Sequence, residues 1–302
     1  MTLMISKAKL MSGLLLFLTL SSAGVGASAK SKTPSAKKSG DVVTVYLARH
    51  GQTTGNVMTL AEGWDDYPLT PQGDLVAKQV GAGLRGVHFT EAACGKLVRH
   101  LDTIKDMLDY SGNSKLTVLE TPQFREAGNG KYELYNGNQS DKLVNDYYHV
   151  KDDAALSKKF GTQFVPKTIQ AIYEIDKDSD SLPKADRAES ANQVIKREAA
   201  GIKRVAKLTK NKDGKNALVV SSGYVIAAYL SKYDHNLSKE DKKLLSTGSI
   251  PNSGVTKVYY NVKTGKVTFG KIGDLSYAQK GAKYLQSHKV KESASMKVDY
   301  EK

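Results

Sequence analysis

Cysteine is nearly absent: Cys94 is the only one in 302 residues. With one thiol the chain can form no internal disulfide, so stability must come from packing, and a chain of this length can bury a core large enough for that. A cysteine-based metal cluster is excluded, and the six histidines are scattered, so no metal or organic cofactor is expected. Internal repeats are lacking, and so is any low-complexity block beyond one short lysine-rich stretch. No alternating basic and aromatic strand or other nucleic-acid motif is present, which leaves nucleic acid without a recognition element. Acidic residues are missing from the first 40 positions altogether.

What stands in those positions is informative. Residues 1–29 carry Lys7 and Lys9, then an apolar stretch, then Ala27-Ser28-Ala29. That is the layout of a secretory signal peptide, with cleavage expected before Lys30. The apolar stretch is short against the roughly 20 residues of a bilayer span. No cysteine adjoins the cleavage site, so a lipid anchor there is excluded. Residues 30–41 open with KSKTPSAKKSG, a solvated basic linker. Of the formal charge of +14, two units belong to Lys7 and Lys9 and four to the linker lysines, leaving +8 on the remainder. The expectation is a secreted or envelope-associated protein with weak electrostatic contact to anionic envelope polymers.

The body of the chain alternates strand-like and helix-like segments. VVTVYLA from Val42 is a continuous apolar run, as in a strand buried on both faces. Thr70 and Pro71 provide a cap and a first helical residue, with Leu75, Val76, Val80 and Leu84 following at helical spacing. FTEAAC, LTVLE and NALVVSS read as further strands, VRHLDTIKDMLDY and ESANQVIKREAAGIKRVAKL as helices, and GVTKVYYNVKTGKVTFGKI as a hairpin turning at residues 263–266. This alternation predicts an α/β fold, three-layered α/β/α with a mostly parallel central sheet. Residues 131–188 break the pattern, with one helix-like piece at TIQAIYEID, and read as an inserted cap region. The expected organisation is a signal peptide over 1–29, a linker over 30–41, one α/β domain over 42–285 and a polar tail over 286–302.

At the end of the first strand stands RHGQTTGN, residues 49–56. It resembles the Arg-His-Gly-x-Thr-x-x-Asn signature of the histidine phosphatase superfamily, which includes the phosphoglycerate mutases. Four more segments agree in order: Gly63, Asp66, Pro68, Leu69, Thr70 and Gly73 in GWDDYPLTPQG; Leu97, Arg99 and Thr103 in KLVRHLDTI; Glu126 and Gly130 in FREAGNGKYELYNG; and IPNSGVTKV before the hairpin. The resemblance implies a phosphoglycerate mutase-like fold. It also implies a neutral His50 as nucleophile toward phosphorus, and Arg49, Asn56 and Arg99 as phosphate-binding groups. Glu126 is then the general acid for the leaving oxygen.

One position departs from the pattern. The family's late strand ends in Ser-His-Gly, where this chain has Ser221-Ser222-Gly223. Ser222 can donate a hydrogen bond to phosphate but brings no positive charge, and loss of a preorganised donor costs about 10²–10³ in rate. Lys96 also replaces an acid. His100 neighbours Arg99 on a helix and is expected to point about 100° away from it. His88, His149, His235 and His288 match no family position and read as surface or loop residues. The leading expectation is an exported phosphomonoester hydrolase, weak in activity, acting on a small phosphorylated substrate. The alternative is an impaired pseudophosphatase that binds phosphate or another anion. A mutase fits less well, because its metabolites belong in the cytoplasm.

Overall fold

The computed structural model describes residues 40–301, apart from 211, 213 and 234–236. The expected signal peptide, most of the linker and His235 lie outside the described residues.

Strand β1 (Val42–Arg49) runs through the centre because its side chains are apolar on both faces. Val43, Val45 and Leu47 enter one core, while Tyr46 and Ala48 enter the other. The next elements are the short helix α1 (Thr54–Val57), α2 (Pro71–Gly83), β2 (Glu91–Cys94), α3 (Val98–Ser111) and β3 (Thr117–Glu120). Thr70 caps α2 as expected, its hydroxyl accepting from Gly73 N at 2.9 Å. Then come α4 (Gly137–Tyr147), α5 (Asp153–Phe160), α6 (Phe164–Asp176), α7 (Ala191–Lys210), β4 (Asn216–Ser221), α8 (Gly223–Ser231) and α9 (Lys239–Thr247). The chain closes with β5 (Val255–Asn261), β6 (Val267–Phe269), α10 (Ser276–Leu285) and β7 (Lys297–Tyr300).

Among the described residues the sheet has the order β6-β5-β1-β4-β2-β3-β7. β1, β4, β2, β3 and β7 are parallel, whereas β5 and β6 form the antiparallel hairpin. Val80 and Leu84 near α2, Ile104, Met107 and Leu108 of α3, and Ala278 of α10 cover one face. Val194, Ile202 and Val205 of α7 and Val225, Ile226 and Leu230 of α8 cover the other. This is the expected three-layer α/β/α architecture with a mostly parallel sheet. Each fully buried Val, Leu or Ile contributes about 1.5–3 kcal/mol relative to exposure, so two continuous cores replace the missing disulfides.

Two expectations need correction. Residues 286–302 are not merely a polar tail, because Lys297–Tyr300 pairs with Thr117–Glu120 as the edge strand. Such a strand is polar because it is exposed on the edge, which hides it from an apolar-run reading. The inserted region is also more regular than expected: it folds into α4, α5 and α6, of which TIQAIYEID is only the last. Ser140, Asp141 and Val144 of α4 and Thr168 and Ile172 of α6 line one cavity with Arg49 and His50, at the carboxyl end of β1, where open α/β sheets bind ligands.

Candidate active site

β1 delivers Arg49 and His50 to that end of the sheet. Arg49 is paired with Ser221 in the β1–β4 register, and His50 N donates to Ser221 O at 3.0 Å. The His50 ring is buried, and its Nδ1 lies 2.8 Å from Gly51 O. A carbonyl can only accept, so Nδ1 carries the proton and Nε2 keeps a free lone pair. Burial first, then the positive charges of Arg99 and Arg49, hold the His50 imidazole well below its usual range. His50 is therefore neutral at neutral and mildly acidic pH, the state a nucleophile requires.

The turn after His50 is held by a polar network. Thr53 caps α1, accepting from Asn56 N at 3.0 Å, and donates to Glu62 Oε2 at 2.7 Å. Asn56 Nδ2 donates to Glu62 Oε2 at 2.5 Å. Asn252 Nδ2 donates to Asn56 Oδ1 at 2.9 Å and to His50 O at 3.2 Å. Asn56 lines the cavity, but both ends of its amide are committed to neighbours. Glu62 and Asn252 escaped the sequence reading, although one immediately precedes Gly63 and the other lies within IPNSGVTKV.

The two arginines have different jobs. Arg49 Nη1 donates to Ile250 O at 2.6 Å, while its buried Nε has no partner. Arg99 is fully buried and spends all four Nη hydrogens on the 62–66 loop: on Asp65 O, Asp66 Oδ1, Glu62 O and Gly63 O, at 2.8–3.2 Å. Only Nε–H, which is buried without a partner, and the charge itself remain for an anion. Arg99 does not line the cavity, so its expected grip on phosphate reduces to those two contributions.

Glu126 faces His50's neighbourhood from the loop after β3. Its Oε1 accepts from Ala127 N at 2.8 Å and its Oε2 from Tyr224 N at 3.2 Å. Burial raises its pKa above the usual carboxylate value, against those amides and the two arginines. A carboxyl raised in this way keeps its proton longer and suits a general acid. The loop is fixed by Arg197 of α7, which donates to the carbonyls of Gln123, Arg125 and Glu126 at 2.7–3.0 Å and forms a two-point pair with Glu189.

Ser222, expected to bind phosphate, is fully buried and, like Arg99 and His100, is not among the residues that line the cavity; its hydroxyl lies 2.7 Å from His100 Nε2. The expectation that His100 points away from the site is corrected by this contact and by a ring-centroid distance of 5.5 Å to His50. Arg99 turns to the 62–66 loop, which leaves the His100 side of the helix end toward the strands. Lys96 is directed elsewhere, to Glu301 O beyond β7. His88, His149 and His288 are exposed.

Arg49, His50, Asn56, Glu62 and Glu126 form one wall of a cavity of about 230 Å³. Its lining also includes Leu60, Tyr132, Val144, Ile172 and Tyr224, with Asn129, Ser140, Asp141 and Thr168 as polar points. Arg49 is the only Arg or Lys among the lining residues. The arrangement can place a phosphoryl group on His50 Nε2, beside the unpartnered Arg49 Nε–H and near the Glu126 carboxyl, whose pKa burial raises.

The model of the histidine phosphatase superfamily (branch 1) matches residues 45–164. The 2,3-bisphosphoglycerate-dependent phosphoglycerate mutase of Cytophaga hutchinsonii is 26% identical over 197 residues, 65% of this chain and 79% of that protein. A broad-specificity phosphatase of Saccharomyces cerevisiae is 27% identical over 161 residues, covering 52% of this chain and 63% of its own length. Among solved structures, a phosphoglycerate mutase from Bacillus anthracis superposes with a TM-score of 0.68 at 29% identity, over 80% of this chain and 97% of the other.

Proposed function

Because the chain belongs to the histidine phosphatase superfamily, we propose that it is an exported phosphomonoester hydrolase working through a phosphohistidine on His50. The observation that carries the reading is the His50 tautomer: Nδ1–H is tied to Gly51 O, and the lone pair of Nε2 faces the cavity wall shared by Arg49 and Glu126. Nε2 attacks phosphorus, the bond to the leaving oxygen breaks, and Glu126 gives that oxygen its proton. Water then attacks phosphorus, giving its proton to Glu126, as the P–N bond breaks and its electron pair returns to Nε2, so phosphate leaves with His50 neutral again. Arg49 carries the equatorial oxygens, with charge and one N–H from Arg99.

Hydrolysis is favoured over mutase chemistry by the rest of the cavity's lining. A phosphorylated carboxylic acid needs a second cation, and the lining offers Leu60, Val144, Ile172 and Asp141 instead. The substrate class that fits is a small phosphomonoester with a neutral, partly apolar body. The segment at residues 1–29 and the linker lysines support export and weak attachment to anionic envelope polymers.

A second reading, an anion-binding pseudophosphatase, is favoured by Arg99's commitment to the 62–66 loop and by Ser222. Heat stabilisation by inorganic phosphate without turnover would support it.

Glu126→Gln separates the two. Turnover of a simple alkyl phosphate should fall about 10²–10⁴-fold, while 4-nitrophenyl phosphate, whose leaving group needs no proton, should lose far less. For the alkyl substrate, wild-type turnover should decline as pH rises through the raised Glu126 pKa, because the acid form is lost there. Turnover should not fall with acid until well below the usual imidazole range, because His50 stays neutral. Equal losses on both substrates would remove Glu126 from the acid role, and an inert wild type would favour the second reading.

A further inference from the structure

Resting on the phosphoryl-transfer reading, we propose that His100 is a positioning residue for the bound phosphoryl group, acting through the hydroxyl of Ser222. Ser222 is the N-cap residue of α8, yet its side chain makes no capping bond. A serine there ordinarily accepts from the second or third helical N–H. Here the hydroxyl turns instead to His100 Nε2 at 2.7 Å, and both side chains are completely buried. The two residues come from different elements, α3 and the β4–α8 junction. They meet next to His50, whose backbone bonds to Ser221 and whose ring centroid is 5.5 Å from that of His100. Room for the imidazole comes from Gly95, where a Cβ would stand 2.3 Å from Nδ1.

The proton inventory shows why the pair needs an anion. A neutral His100 has one N–H. If Nδ1 holds it, Nε2 takes the Ser222 proton, and the serine presents lone pairs to the site. If Nε2 holds it, Ser222 Oγ accepts and its O–H is free to point at a phosphoryl oxygen, but Nδ1 is left without a donor because Gly95 N is committed to Val220 O. With both nitrogens protonated, Nδ1–H lies against the Gly95 backbone, Nε2–H donates to Ser222 Oγ, and Ser222 donates to the anion. The groups facing His100 are Arg99 on its own helix, Arg197 on α7 and His50 at the end of β1. Burial, then Arg99 and Arg197, disfavour that second proton against the favourable contact with the Gly95 backbone. A phosphoryl dianion supplies the charge that draws it in, so binding and protonation of His100 are coupled. The added proton comes from the protonated form of the anion or from solvent and forms the second N–H bond of His100; no bond to phosphorus forms or breaks in this step.

The experiment uses the full chain, with 4-nitrophenyl phosphate as substrate and orthovanadate as the phosphoryl probe, between pH 5 and pH 8. Vanadate should bind more tightly to wild type as pH falls, and this dependence should vanish in His100→Ala and Ser222→Ala. Each substitution should lower kcat/KM about 10²-fold, comparable with losing one preorganised donor, and the double variant should be little worse than either. His100→Gln, which can donate to Ser222 without titrating, should keep turnover within about tenfold of wild type but lose the pH dependence of vanadate binding, a readout unmoved by simple packing. Wild-type activity in His100→Ala, or effects that multiply in the double variant, would overturn the pairing while leaving the phosphatase reading intact. If wild type is inert, vanadate-induced heat stabilisation decides: His100-dependent pH sensitivity upholds the pair, and identical binding in His100→Ala overturns it. Neither turnover nor vanadate binding would overturn both readings.

Discussion

His50→Ala should abolish turnover of every phosphomonoester, by about 10⁴-fold or more, because it removes the nucleophile rather than a helper. The loss should be chemical and not structural. The His50 side chain makes one hydrogen bond, to Gly51 O, and deleting a bond of this kind costs about 1 kcal/mol. The strand itself is held by pairing with β4 and β5 on both sides. Arg49 and Arg99 stay in place, so inorganic phosphate should still stabilise the variant against heat. Substantial residual turnover in His50→Ala would place the nucleophile elsewhere.

Arg49→Met should lower kcat/KM by about 10³-fold and also change the shape of the pH profile. The first effect follows from the free Nε and from the one lining cation it represents. Arg99 cannot substitute, because its four Nη hydrogens hold Glu62, Gly63, Asp65 and Asp66. The second effect follows from electrostatics. Burial is the main cause of the depressed His50 pKa and the charge of Arg99 the next; Arg49's charge adds to both, so removing it lets that pKa rise. His50 then protonates at a higher pH, and the residual activity should fall on the acid side where wild type does not. A pH–rate profile of the variant with 4-nitrophenyl phosphate reads this directly. An unchanged acid side would mean that Arg49 does not act on His50 through charge.

Much of the fold was legible because its central elements are strongly patterned. VVTVYLA is apolar on both faces and became the central strand, and the stripe on ESANQVIKREAAGIKRVAKL became α7 against the sheet. α4 and α5 were not legible, since Gly137–Tyr147 and Asp153–Phe160 bury only Val144, Asn145 and Leu156 between them. β7 was missed because an exposed edge strand needs no apolar alternation. Within the site, the motif residues Arg49, His50, Asn56 and Glu126 do converge on one cavity. The His100 contact was hidden by a sound rule applied to the wrong reference. Neighbours on a helix do diverge by about 100°, but the calculation assumed that Arg99 faced the ligand. Arg99 faces the 62–66 loop instead, and the divergence brings His100 to Ser222. Arg197 was invisible for another reason: it acts on the backbone carbonyls around Glu126, and no side-chain motif records such contacts.

The central claim is that phosphorus becomes bonded to His50. The most direct measurement is to quench the enzyme in alkali during turnover of 4-nitrophenyl phosphate and locate the phosphoryl group by peptide mass spectrometry. The account predicts one phosphoryl group on the peptide containing His50, labile to acid, stable to alkali and absent from His50→Ala. A phosphoryl group on Ser222 or His100, or steady turnover with no phosphoenzyme at any time after mixing, would contradict it.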